Sequence, residues 1–289
     1  PAIIGATVVS LGTTMPETAV SVLSAIEGDP GLAMGNAVGS VIANTALIVG
    51  VAALIRPIPV DFRMLGRQGP VQFGTVVLLV LASLPFVSGG SPNVLVDGGR
   101  VTQWVGGVFV VLLITYMLVN IHWSRAFASV AVDGEGGAEL ALTILKLIIG
   151  FVLVVVASQI LIPAVEATAL RLGVPRAVVA ASLVAIGTSL PELVTAVTAS
   201  RKGHGELALG NVVGANVLNI LLVVGLSAAV TPGGLQVSPD FFRLFYPVML
   251  VSGVLLYLSV WLGKGRIGRL TGMILAVLYV GFVVAGYAM

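Results

Sequence analysis

Cysteine is absent from the sequence, and histidine occurs only twice, at His122 and His204. The first absence excludes disulfides and thiolate metal sites. Both histidines fall near the ends of apolar runs, and no Ser–His or paired-aspartate arrangement is present, so an enzyme working inside a membrane is disfavoured. Charge is the other deficit. Only 9% of the 289 residues are Asp, Glu, Lys or Arg, against about 25% in soluble domains. The net charge of +2 implies no nucleic-acid partner, because the basic residues lie between apolar runs. What is abundant is hydrophobic sequence, 58% of the chain with a mean hydropathy of +1.13.

Nine apolar segments can be drawn, at about 1–27, 31–55, 70–92, 101–122, 141–165, 175–200, 206–230, 241–262 and 269–288. A helix needs roughly 20 apolar residues to cross a bilayer, and most of these runs suffice. They do not alternate as strands of a membrane barrel would. The expected class is an all-α polytopic membrane protein embedded in a lipid bilayer. Ten of the fourteen basic residues lie in the even-numbered connections or at Lys146. By the positive-inside rule those connections face the cytoplasm, which places the C-terminus outside. The short loops suggest the cytoplasmic membrane of a prokaryotic cell.

One stretch occurs twice. Gly12-Thr13-Thr14-Met15-Pro16-Glu17, then Gly35-Asn36-Ala37-Val38-Gly39-Ser40 and Asn44, returns as Gly187-Thr188-Ser189-Leu190-Pro191-Glu192, then Gly210-Asn211-Val212-Val213-Gly214-Ala215 and Asn219. The offset is a constant 175 residues (187 less 12, and 219 less 44). The link within the first copy is an odd-numbered connection and that within the second is even-numbered, so the copies have opposite orientations in the membrane. Inverted repeats of this kind build transporters with an ion site near the midplane. The expected domains are an N-terminal half, 1–125, with its repeat at 1–56; a short cytoplasmic linker, 126–140; and a C-terminal half, 141–289, with its repeat at 175–231. The second repeat is preceded by a whole span whereas the first starts at Pro1. The expectation is therefore two five-helix halves, ten helices, of which the first lies upstream of this sequence and nine are present.

Pro16 and Pro191 lie mid-span, where proline removes an N–H and clashes with the carbonyl four residues back, here Gly12 and Gly187. A bound cation would satisfy carbonyls freed in this way; a plain kink is the alternative. Glu17 and Glu192 are the acids placed deepest in the spans. A charge at mid-membrane costs from about 2.5 to more than 10 kcal/mol, which marks such residues as functional. Two facing carboxylates with hydroxyls and carbonyls form an all-oxygen site for hard cations such as Ca²⁺. Their combined charge matches one Ca²⁺ or two monovalent ions. Thr13, Thr14, Thr188 and Ser189 lie within a turn of the glutamates and either add ligands or bond back to their own helix. Asn36, Ser40 and Asn44 share one helix face, repeated by Asn211, Ala215 and Asn219; these amides either ligate a cation or hydrogen-bond between helices. Gly35/Gly39 and Gly210/Gly214 read as close-packing pairs. The Phe, Trp and Tyr residues read as lipid-facing or belt positions. Asp133, Glu135 and Glu139 read as loop residues and Glu166 as interfacial.

The doubled Gly-Thr-Ser/Thr-x-Pro-Glu and Gly-Asn-x-x-Gly-Ser/Ala-x-x-x-Asn motifs resemble the α-repeats of the calcium/cation antiporter superfamily, with the closest likeness to prokaryotic sodium/calcium exchangers. The resemblance implies Glu17 and Glu192 as the main Ca²⁺ ligands, with backbone carbonyls from Thr13 and Thr188. It implies Na⁺ sites formed by the carbonyls of Ser10 and Ala185 and by Thr14, Ser189 and Ser40, with Asn44 completing the centre. Gly39, where the proton-coupled branch carries an acid, favours the sodium type. Asn219 stands where relatives have Asp, and Ala215 where they often have Ser, which leaves Na⁺ and H⁺ both open as counter-ion. The function implied is secondary antiport of Ca²⁺ against Na⁺ by alternating access, with no tightly bound cofactor; a monomer is the expected form, and the sequence leaves the oligomeric state open. Proton-coupled divalent antiport is the alternative, and a passive cation channel a more distant one.

Overall fold

The computed structural model describes residues 9–88, 93–125 and 173–289, with isolated positions between 149 and 171. The expected linker, most of the expected span at 141–165, and Asp133, Glu135, Glu139 and Glu166 lie outside the described residues.

Each repeat is a broken helix followed by a long rod. In the first, α1 (Ser10–Thr13) and α2 (Met15–Ile26) lead into α3 (Pro30–Ile55). There follow β1 (Ile58–Pro59), α4 (Phe62–Ala82), β2 (Gly99–Val101) and α5 (Gln103–Arg125). In the second, α6 (Arg176–Thr188) and α7 (Leu190–Arg201) lead into α8 (Gly205–Val230). The chain ends with β3 (Leu235–Val237), α9 (Phe241–Leu262), β4 (Arg266–Ile267) and α10 (Arg269–Ala288). Among the described residues six helices are long and apolar enough to cross a membrane, and α6 with α7 makes a seventh if that bent pair is one span.

The breaks fall where the repeated prolines predict. Thr14 (φ −82°, ψ 1°) and Ser189 (φ −85°, ψ 11°) leave helical geometry two residues before Pro16 and Pro191. The axis turns by 49° between α6 and α7. A proline that cannot donate to the turn behind it starts a new helix at little cost.

The two halves interlock through small residues. α3 lies against α6 so closely that a Cβ on Gly35 would sit 2.5 Å from the Ala177 carbonyl oxygen, and one on Gly39 would collide with the Ala181 backbone. This is the close approach expected of the first glycine pair. Farther along, α10 crosses α3 where Gly50 meets Gly272, and α5 crosses α8 where Gly225, the repeat partner of Gly50, meets Gly106. Each half thus lays its last helix on the long rod of the other.

Two antiparallel ribbons escape hydropathy altogether. β1 pairs with β4, joining the second and eighth connections, and β2 pairs with β3, joining the third and seventh.

Two expectations need correction. α4 starts at Phe62 and ends at Ala82, well ahead of the expected run at 70–92. Its first turns carry Gln68 and Gln72, which depress hydropathy yet are buried and bonded: Gln68 to Asn120 and Tyr116, Gln72 to Tyr257. The aromatic residues, read as facing lipid, divide instead. Trp104 and Trp261 are exposed, but Phe109, Phe241, Phe245, Tyr246, Tyr279 and Phe282 are buried. Phe245 packs edge-on against Phe241 and Phe282, with centroids 4.7 and 5.5 Å apart, filling the space where α9 meets α10.

Candidate cation site

The helix breaks place the repeated acids at the start of α2 and α7, and the interlocked halves bring those two starts together. Glu17 and Glu192 are both fully buried at 0% exposure. The physical link between them is Ser189 Oγ, which donates to Glu17 Oε1 at 2.8 Å from the turn just ahead of Glu192. Glu17 Oε2 and both Glu192 oxygens have no hydrogen-bond partner. Among the described residues no Arg, Lys or His pairs with either acid, and Arg176–Asp29 is the ion pair found. Two neighbouring buried carboxylates without a basic partner are costly unless a cation or a proton compensates them.

The surrounding polar groups fall into two sets. One set is bonded across the halves and holds them in register. Thr188 Oγ1 donates to Asn36 Oδ1 at 3.1 Å, and Thr13 Oγ1, its repeat partner, reaches Asn211 Oδ1 at 3.5 Å. Asn36 Nδ2 donates to the Glu17 carbonyl at 3.3 Å and to Ser21 Oγ at 2.9 Å, which positions the turn that carries the acid. Ser10 Oγ donates to the Asn211 carbonyl at 2.9 Å. For Asn36 the interhelical reading is the one observed. The Ser10 carbonyl accepts from Thr14 N and Thr13 Oγ1, and the Ala185 carbonyl from Ser189 N and Thr188 Oγ1.

The other set is buried and unpartnered: Thr14 Oγ1, Ser40 Oγ, both polar atoms of Asn44 and Asn219, and the Nδ2 of Asn211. Asn44 and Asn219 lie in π-helical turns, Ala43–Ile48 and Asn219–Val224, at matching places in the two rods. Such turns carry an extra residue and often occur at functional sites. Buried polar groups are bonded in the great majority of cases, so this many orphans around two acids points to a ligand. Gly12 and Gly187, whose carbonyls proline frees, are exposed.

Sequence reasoning missed Asn216 and Thr45. Asn216 Nδ2 donates to Thr45 Oγ1 at 2.9 Å while its Oδ1 is unpartnered. The available signal was the i, i+3 spacing of Asn216 from Asn219, which the repeat comparison hid because Val41 stands in its place in the first copy.

Fold and site together point to a class, the polytopic membrane transporters of cations, and comparison with known proteins narrows it. The family model described as "Sodium/calcium exchanger protein" matches residues 1–122 and 142–288. Inner membrane protein YrbG of Escherichia coli is 34% identical over 284 residues, covering 95% of this chain and 83% of that protein. Sodium/calcium exchanger MaX1 of Methanosarcina acetivorans is 33% identical over 311 residues, covering 98% and 87%. A solved structure of the sodium-calcium exchanger NCX_Mj, soaked with 10 mM Na⁺ and zero Ca²⁺, superposes with a TM-score of 0.70 at 26% identity, covering 98% of this chain and 87% of that one. The chain belongs to the sodium/calcium exchanger family. It is a multi-pass membrane transporter that exchanges cations, Ca²⁺ among them, and not an enzyme.

Proposed function

We propose that this protein exchanges Ca²⁺ for Na⁺ at one shared site between its halves, exposed to each side of the membrane in turn. The observation that carries this reading is the pair of buried acids, one from each repeat, bridged by Ser189 and facing no base. A charge near −2 in lipid is balanced by one Ca²⁺ or two Na⁺, and a site that must be neutralised either way couples the two fluxes. Glu17 and Glu192 are the Ca²⁺ ligands, with the carbonyls of Thr13 and Thr188. Ser40, Thr14 and Ser189 supply hydroxyls to flanking Na⁺ sites, and Asn44 and Asn219 add amide oxygens across the centre. The Ser10 and Ala185 carbonyls serve Na⁺ only after giving up the Thr13 and Thr188 hydroxyls. The halves 1–125 and 141–289 rock about this site, and the even-numbered connections lie in the cytoplasm, which puts the C-terminus outside. The test is ⁴⁵Ca²⁺ uptake into proteoliposomes under a Na⁺ gradient and, separately, a pH gradient. Uptake that follows Na⁺ supports the proposal, whereas uptake that follows pH and ignores Na⁺ transfers the role of counter-ion to the proton.

A further inference from the structure

Away from the acids, the protein has a half-open cleft of about 280 Å³ into which two guanidinium-bearing residues converge, Arg56 and Arg266. Neither arginine has an acidic partner within 4.0 Å among the described residues. The cleft is assembled from three connections. Arg56 ends α3, and its carbonyl accepts from the buried Ser200 hydroxyl of α7, which also donates to the Ala52 carbonyl at 2.9 Å. Arg266 is held opposite Pro59 by the β1–β4 ribbon. The third wall is the turn at Gly203 and Gly205, and it is packed without slack. A Cβ on Gly203 would sit 3.0 Å from Arg56 Nη1, and one on Gly205 2.9 Å from Pro59 Cδ. Gly203 also has φ +86°, a conformation in which a side chain is strained.

We infer that this cleft binds a phosphate group, from a phospholipid headgroup or a soluble phosphate. Two guanidinium groups without carboxylates are suited to phosphate oxygens, which they take in bidentate fashion. The start of α8, a rod running from Gly205 to Val230, faces the same cleft and has no side-chain cap. The dipole of a helix start adds attraction for an anion, although the Leu207 and Ala208 N–H groups already donate to the His204 carbonyl. The first half shows how the molecule completes the matching helix start. At Asp29, which His204 replaces in the second copy, the carboxylate accepts from Leu32 N at 2.9 Å and pairs with Arg176 at 3.0 Å. The second copy has no such cap, and Glu206 in the first turn of α8 does not line the cleft, so at Arg56 and Arg266 the anion comes from outside. All three connections are even-numbered, so the phosphate is met at one membrane face.

The test uses the purified full chain. Native mass spectrometry counts retained phosphatidylglycerol against phosphatidylcholine, and ³¹P line broadening reports inorganic phosphate. Phosphatidylglycerol alone retained identifies a lipid headgroup, and broadening of phosphate a soluble ligand. In either case R56Q/R266Q is expected to weaken binding about tenfold or more, as loss of charge-assisted bonds dictates. K264Q/R269Q, neutral on the same face but outside the cleft, leaves binding intact. R56K/R266K, folded and still cationic, retains part of it. Binding of neither probe, binding unchanged in R56Q/R266Q, or equal loss in K264Q/R269Q overturns the inference.

Discussion

The two repeats share a backbone plan but differ in how each finishes its share of the site. Ser189 of the second repeat bonds Glu17 of the first, whereas Thr14, its partner in the first repeat, leaves Glu192 open. Ser40 offers a hydroxyl where Ala215 offers none, and Asp29 caps its rod where His204 does not. The helix break, the long rod, the π-helical turn at the asparagine and the cross-half helix are duplicated; the polar tips are not. The shared geometry is duplicated, and the repeats diverge at single polar side chains.

The largest effects break the comparison at its centre. Glu192→Gln is expected to abolish ⁴⁵Ca²⁺ flux in proteoliposomes while leaving the protein folded, because it halves the charge of the site. Near wild-type flux would remove Glu192 from its role. Gly39→Ala tests the contact that joins the repeats. The added methyl meets the Ala181 backbone, and overpacking at such a contact costs about 1–3 kcal/mol, to be read as a lower thermal midpoint in detergent.

Ser189→Ala against Thr14→Ala sharpens the asymmetry. The first removes a hydrogen bond to a carboxylate, worth about 1.5–3 kcal/mol, and is expected to lower apparent Ca²⁺ affinity about tenfold. The second removes a hydroxyl with no partner and is expected to act on Na⁺ dependence more than on Ca²⁺ affinity, as flux titrations against each ion would show. Equal effects on both ions would erase the distinction between the repeats. The smallest effect is at the helix starts. Asp29→Ala should cost about 1 kcal/mol through its lost cap, while His204→Ala should cost little, measured as thermal midpoints of the two variants.

Much of the site was legible in the sequence because its signals are local. Proline two residues after a hydroxyl residue and one before a glutamate announces a helix break with an acid at the new start, and the breaks occur at Thr14 and Ser189 as expected. The glycine pair at Gly35 and Gly39 announces a close helix contact, and the contact is there. Less was legible where tertiary satisfaction overrides hydropathy. Gln68 and Gln72 made the start of α4 look polar, although partners on α5 and α9 accommodate them. The buried aromatics were misread for the same reason: in a chain so apolar, composition does not separate lipid-facing from core-facing positions.

The chain alone determined that the protein lives in a bilayer, that it is built from two copies of one unit, and that each copy carries one acid behind a proline. These follow from hydropathy, spacing and backbone sterics, which act over one or two helical turns. Only the tertiary structure decided which groups are already bonded and which are left open. Thr13 and Thr188 bond to asparagines of the opposite half, while the side chains of Thr14, Ser40, Asn44 and Asn219 and the carboxylate of Glu192 have no hydrogen-bond partner. The reason is physical. Whether a buried polar atom is satisfied depends on residues far away in the chain, 152 positions for Thr188 and Asn36 and 198 for Thr13 and Asn211, brought within hydrogen-bond reach by packing that no local pattern encodes.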